Sequence, residues 1–283
     1  MQCSYWTKLD NKIIENFYKV NNMKVWAKTF ENNEYRSHNI AHAVFGFHEL
    51  GAEIVKYQKI SEIYDWVSKD DIVLDFIDQC REIFSKFGKT PDIPDYPECF
   101  SEFMHRKIWK DNINSIASNE KKWSAGYFVK PVKEKAFTGK IISSISDLVG
   151  CGNHAENYEV YVSTPIDIKS EWRCFILYDK IIDIRPYSLG VLTGTNTSWK
   201  YLYDYRVVEE MMKCFNEWED RPLACSMDIA VIQEDGEYKT ALVEFNDAYA
   251  LGNYGLDPIA YAKLISARWS QILDRPDEYC FNK

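Results

Sequence analysis

Met227-Asp228-Ile229-Ala230-Val231-Ile232 and Ala241-Leu242-Val243-Glu244-Phe245-Asn246-Asp247 are two apolar runs joined across Glu234-Asp235-Gly236. Their β-formers and the turn residues between them predict a β-hairpin. Glu244 and Asn246 stand two apart, so on a strand both leave the same face. If the loop is Asp235-Gly236-Glu237, Asp228 lies directly opposite Glu244; a two-residue loop would turn Asp228 to the other face. Convergence therefore requires an odd-length loop, which a type I turn plus a glycine bulge supplies. Two carboxylates and an amide oxygen at a strand end suit Mg²⁺, or Mn²⁺ in its place, because such cations take oxygen ligands and share them with phosphates. The competing reading is a polar hairpin end in water. It is weakened by the apolar run that leads directly into Glu244, since buried acids need a cation.

Working outward, Tyr127-Phe128-Val129-Lys130-Pro131 puts a lysine at the end of an apolar strand, held extended by the proline after it. Lys133, Lys135 and the short Phe137-Thr138-Gly139 segment follow. Lysines serve as point charges for phosphates, and a loop with a glycine can close over them. Three lysines in ten residues also describe a solvated face. Glu171-Trp172-Arg173-Cys174-Phe175-Ile176 sets Arg173 in an apolar strand, where an unpaired guanidinium is costly. A phosphate ligand would resolve that, and so would an ion pair with Glu171 or Asp228. Further short strands are predicted over Glu159 to Val162 and Ile181 to Ile184, with a turn at Tyr178-Asp179-Lys180.

Residues 1 to 120 have a different texture. Ile40, Val44, Phe47 and Leu50 recur at helical spacing after a cap at Ser37 and before Gly51. Glu53 to Tyr57 and Asp71 to Leu74 predict strands, and Ile77 to Phe87 a helix ending at Gly88, giving β/α alternation. Thr90 to Pro97 holds three prolines and cannot be helix or central strand. A helix is expected over Glu98 to Trp109. Asp257-Pro258 caps a last helix carrying Ala262, Ile265, Trp269 and Ile272. An α/β unit thus precedes an α+β unit, with the boundary near residue 120, and two domains suit a chain of 283 residues.

The formal charge of −9 and the lack of a Lys/Arg block argue against a nucleic-acid partner. No signal peptide or long apolar run appears, so a soluble, cytoplasmic protein with no membrane partner is expected. The eight cysteines lack C-x-x-C spacing and read as reduced thiols. Only 12 glycines occur, and no phosphate loop is built from them. Gly88-Lys89-Thr90 has Ile83 where a P-loop needs its first glycine, and Gly150-Cys151-Gly152-Asn153-His154-Ala155 leads into a strand rather than a helix. His48-Glu49 has no second histidine at zinc-protease spacing. Asn196-Thr197-Ser198 is a glycosylation pattern with no secretion signal.

The lysine strand, glycine-containing flap, Glu-x-Arg strand and Asp…Glu-x-Asn hairpin together resemble the ATP-grasp superfamily. The resemblance is greatest to its phage and bacterial clade with one arginine and two lysines, and it extends from about Tyr127 to Leu264. It implies an N-terminal α/β domain (1–120) before an ATP-grasp domain (121–283) of two α+β subdomains, a small one over about 121–162 and a large one over about 163–283. It makes Lys130 and either Lys133 or Lys135 phosphate ligands, with Thr138 and Gly139 in the flap. Glu159, Tyr161 and Val162 fall in the hinge that holds adenine and ribose. Arg173 would stabilise the transferring phosphoryl group, Arg185 would contact the substrate carboxylate, and Asp228, Glu244 and Asn246 would hold Mg²⁺. The implied activity is an ATP-dependent carboxylate–amine ligase acting through an acyl phosphate on amino acids, a peptide or a protein terminus. A phosphotransferase on the same fold, or a nucleotide-binding protein without ligase activity, are the alternatives.

Overall fold

The structure is a computed structural model that describes residues 23–92, 94–133, 136–152, 155–187 and 200–280. In chain order its strands are β1 (Lys24–Lys28), β2 (Glu53–Tyr57), β3 (Ile72–Leu74), β4 (Ile108–Asn112), β5 (Tyr127–Pro131), β6 (Lys140–Ile142), β7 (Glu159–Ser163), β8 (Asp167–Leu177), β9 (Lys180–Pro186), β10 (Ala224–Glu234) and β11 (Glu237–Asp247). The helices are α1 (His38–Glu49), α2 (Ile60–Ile63), α3 (Ile77–Lys86), α4 (Ile113–Ala117), α5 (Glu120–Trp123), α6 (Tyr205–Glu217) and α7 (Pro258–Ile272).

Parallel strands in the order β2-β1-β3 form the N-terminal sheet. Central β1 and its neighbour β3 are buried on both faces, as parallel strands covered by helices must be: Val25, Ala27 and Ile72 are sealed from water. Ser37 caps α1 by accepting from the Ile40 amide at 3.2 Å, and Gly51 takes the positive φ of +84° that stops the helix. Gly46 lets α1 press against the start of α7, because a Cβ there would lie 1.9 Å from the Pro258 carbonyl oxygen. Phe84 and Trp269 meet as tilted rings with centroids 4.3 Å apart within the same core. The last helix is thereby welded to the N-terminal unit.

A second sheet, β4-β7-β5-β6, is antiparallel and encloses its own core of Ile113, Ile116, Val129, Ile142, Val160 and Val162. The helix expected over Glu98 to Trp109 is instead a 3₁₀ turn at Glu98–Phe103 followed by β4. Its apolar spacing is real, since Phe100 and Met104 are buried beside α6, but a turn rather than a helix delivers them. Because β4 completes the edge beside β7, this sheet begins at Ile108, upstream of residue 120.

The third sheet, β11-β10-β8-β9, is antiparallel. Its hairpin corrects the expected loop. Only Asp235 and Gly236 separate the strands, both with positive φ (52° and 85°) as a type I′ turn requires. Glu234 pairs with Glu237 and Ile229 with Leu242, the register that would send Asp228 away from Glu244. A bulge between Asp228 and Ile229 then shifts the ladder by one, and Asp228 pairs with Glu244 after all. Asp228 also pairs with Arg173 of β8, and Arg173 with Arg185 of β9. Arg185, Arg173, Asp228 and Glu244 thus form one row across the sheet. The opposite face carries Trp172, Cys174, Met227 and Phe245, packed beneath α6. The described cysteines are free, and no helix among the described residues is long and apolar enough to cross a membrane.

Candidate active site

A cleft of about 1020 Å³ runs between the second and third sheets. Lys130, Phe137, Thr138 and Gly139 line one wall; Glu171, Glu244 and Asn246 line the floor; the connection Ser163-Thr164-Pro165-Ile166 closes one end. Along the floor the polar groups form an unbroken chain. Arg173 grips Asp228 with two charge-assisted bonds, Nε to Oδ1 at 2.8 Å and one terminal nitrogen to Oδ2 at 2.7 Å. Asn246 Nδ2 donates to Asp228 at 2.8 Å and to Glu244 at 3.1 Å. Lys130 Nζ donates to Glu244 at 2.7 Å and also to Asp95. Tyr187 and Tyr254 each hold a ring 4.7 Å from the Arg173 guanidinium carbon, which adds a cation–π contact to a nearly buried cation. A second cavity of about 380 Å³ adjoins the cleft, sharing Ile77, Tyr187 and Asn246 with it. It lies between Ser37, Asn39 and Asp75 of the N-terminal unit and Arg173, Tyr254 and Gly252 of the C-terminal one.

This arrangement, a cleft between two antiparallel sheets with a lysine on one and an acid–amide floor on the other, has a counterpart in sequence. The family model of the ATP-grasp domain, second family of the clade named for one arginine and two lysines, matches residues 103–264, more than half of the chain. The chain belongs to the ATP-grasp family. Its fold is correspondingly similar to that of N5-carboxyaminoimidazole ribonucleotide synthetase in its ADP complex, with 10% identity, a TM-score of 0.52, and 90% of this chain and 77% of that one covered. It is also similar to an ATP-grasp RimK-domain protein from Sphaerobacter thermophilus, with 10% identity, a TM-score of 0.50, and 89% and 98% covered. The synthetase from Thermotoga maritima gives 13% identity, a TM-score of 0.50, and 90% and 76% covered. No curated protein matches the sequence.

The cleft gathers Lys130, Thr138, Gly139, Glu244 and Asn246 on its lining, with Arg173 and Asp228 bonded to the same run of polar groups. Lys133 is exposed and off the lining, and Lys135 lies outside the described residues, as does Asn196-Thr197-Ser198. Of the expected hinge, Val162 is buried in the second core, Tyr161 packs edge-on to Tyr96 at 4.9 Å, and Glu159 faces solvent beside Lys110. The cleft wall is made instead by the four residues from Ser163 onward. Arg185 neighbours Arg173 on the ladder but pairs with Asp183 and lines neither cavity.

Burial and charge divide the acids in and beneath the cleft. Burial pushes Asp228 up despite Arg173, and pushes Asp95 up despite Lys130. Burial would raise Glu244 too, but Lys130, Asn246 and Arg173 outweigh it and hold it below the usual range. Glu171, half-buried near Asp228 and Glu244, is pushed up to about 8, mainly by loss of solvent. At neutral pH it is a neutral acid on the cleft floor. Among the described residues, no three His, Cys, Asp or Glu side chains form a metal cage by themselves. The donors that do converge, Asp228, Glu244 and the Asn246 amide, are oxygen ligands of the hard type Mg²⁺ prefers when phosphates complete its shell. They fit that ion, provided the Asn246 amide turns its oxygen rather than its nitrogen toward the acids.

Two groups escaped the sequence reading. Asp95 comes from the proline-rich segment and is 3% exposed beside Lys130. Arg106 lines the cleft and donates to the carbonyls of Leu242 (2.7 Å) and Val243. It thereby holds the strand immediately before Glu244. Both are brought in by long-range packing against β11, and neither carries a local sign in the sequence.

Proposed function

We propose that this protein is an ATP- and Mg²⁺-dependent carboxylate–amine ligase of the cytoplasm. The observation that carries the reading is the continuous run Lys130, Glu244, Asn246, Asp228, Arg173 along a cleft that opens into a second cavity. Such a run offers cations to a triphosphate and sets a second reactant beside its terminal phosphate. The cleft lining contains no cysteine or histidine among the described residues, so its hydroxyls, those of Thr138, Ser163 and Thr164, have no imidazole on that lining to act as their base. In this reading Lys130, with Lys133 or Lys135 from the flap side, binds phosphate oxygens, and Thr138 and Gly139 close over them. The end of β7 from Glu159 through Tyr161 and Val162 into Ser163 to Ile166 backs the adenine and ribose. Asp228, Glu244 and Asn246 hold Mg²⁺, which when bound neutralises phosphate charge.

The chemistry then needs only positioning and electrostatics from the chain. A substrate carboxylate oxygen attacks the γ-phosphorus, and the bond from that phosphorus to the ADP oxygen breaks. Arg173, held rigid by Asp228 and two tyrosines, offsets charge on the transferring group, while Arg185, next along the ladder, would contact an incoming carboxylate only by turning away from Asp183. An amine nitrogen then attacks the acyl carbon, phosphate leaves with the acyl oxygen, and loss of a proton from nitrogen gives the amide. Free amino acids, a peptide or a protein terminus are the candidate reactants.

The test is product analysis after incubation with ATP, Mg²⁺ and pooled amino acids. Stoichiometric ADP and phosphate with a new amide are expected. ADP with a phosphorylated acceptor would favour a phosphotransferase, and AMP as the sole nucleotide product would sink the ligase reading.

A further inference from the structure

The Lys130 ammonium lies between two carboxylates, Asp95 and Glu244, and bonds to both. One cation serving two acids is an unusual excess in a cleft that this reading fills with phosphates. Once Lys130 turns to a phosphate, Asp95 and Glu244 would face each other across the vacated space as buried like charges. Asp95 cannot retreat easily. Its backbone carbonyl accepts from the Phe245 amide at 2.9 Å, next to Glu244, and Pro94 and Pro97 restrict the chain on both sides. Its second carboxylate oxygen is buried without a hydrogen-bond partner among the described residues. Asp228 can join Glu244 and Asn246 on an ion only while still gripped by Arg173 through both oxygens and by Asn246 through one, whereas Asp95 has an oxygen to spare.

We propose that Asp95 is a ligand of the divalent cation that accompanies the nucleotide, sharing it with Glu244, and that in the nucleotide-free protein the Lys130 ammonium stands in for that ion. This rests on the nucleotide-binding reading above. One or two carboxylates plus phosphate oxygens and water are the usual shell of Mg²⁺. Asp95 and Glu244 supply that pair while leaving the Arg173–Asp228 bond intact.

The test uses the full chain with ADP and Mn²⁺, with free Mn²⁺ followed by electron paramagnetic resonance. Asp95→Asn keeps an oxygen acceptor for Lys130 but removes the charge. It should leave ADP affinity without metal within about threefold, while weakening Mn²⁺ binding to the ADP complex at least about tenfold, the smallest loss typical of disturbing even an outer-shell partner. Mn²⁺ affinity within threefold of wild type would overturn the assignment and leave nucleotide binding untouched. A wild-type chain that binds no ADP with or without Mn²⁺ would sink the nucleotide reading and this inference together. Lys130→Met gives a readout independent of how Asp95→Asn folds. With the ammonium gone, the Asp95–Glu244 gap should bind Mn²⁺ several-fold more tightly than wild type in the absence of nucleotide, and an unchanged affinity would count against the stand-in.

Discussion

Replacing Glu171 with glutamine should change how stability responds to pH. Burial, then the neighbouring Asp228 and Glu244, lift this carboxyl from its ordinary 4.5 to about 8, with Arg173 opposing. Between those values the unfolded chain has lost the proton and the folded chain keeps it. The folded state therefore binds more protons, and its stability falls as pH rises through the window. The slope approaches about 1.4 kcal/mol per pH unit for one group. From pH 5.5 to 7.5 Glu171 should thus cost about 2 to 3 kcal/mol, a large part of the roughly 5 to 15 kcal/mol by which a domain is stable. Glutamine has nearly the same shape and no charge, so Glu171→Gln should gain that amount over wild type across the same interval. Urea unfolding at four pH values, with the two proteins compared at each, isolates this group from Asp95 and Asp228, which are common to both. Parallel stability curves would refute the reasoning, because they would mean that Glu171 titrates alike in the folded and unfolded chains.

Asp228→Ala should cost about 3 to 5 kcal/mol, since it strands Arg173 as a buried unpaired charge; equilibrium unfolding measures it, and a loss under about 1 kcal/mol would contradict the pairing. Gly46→Ala forces a methyl into the Pro258 carbonyl and should lower the melting temperature by several degrees, as overpacking costs about 1 to 3 kcal/mol. Ser37→Ala removes the α1 cap and should cost about 1 kcal/mol, with Ser37→Asn restoring most of it. Nucleotide affinity should decline above pH 8 as Glu171 ionises on the cleft floor, and titrations at pH 7 and 9 should lose that difference in Glu171→Gln.

Local signals proved readable where one residue sets the geometry. Ser37, Gly51 and Asp257-Pro258 mark helix ends because each satisfies or releases particular backbone groups. The hairpin is more instructive. Asp228 does meet Glu244, yet through a two-residue turn and a bulge rather than a longer loop. Facing follows from register, and a sequence carries no local mark of where a ladder slips. β4 was hidden because an edge strand with much of its length exposed has little alternation, while the apolar spacing of Phe100, Phe103 and Met104 imitates a helix. Asp95 and Arg106 reach the cleft only through tertiary contacts with β11, so no window of sequence around either could announce them.

The separation of cores has a mechanical consequence. The parallel sheet, α1, α3 and α7 share one interior that also takes in Phe175 and Ala224 of the floor sheet, whereas β5, β6, β7 and α4 close around a smaller interior of their own, with β4 reaching the core beneath α6 through Ile108. The small sheet can therefore breathe as a unit over a fixed base, with the Lys130–Glu244 bond acting as a catch across the gap. Backbone amides at Val129 and Val160 should exchange with solvent through cheaper openings than those at Val25 and Ile72. A ligand bridging the two sheets would then slow exchange deep inside the small core, in groups it never touches.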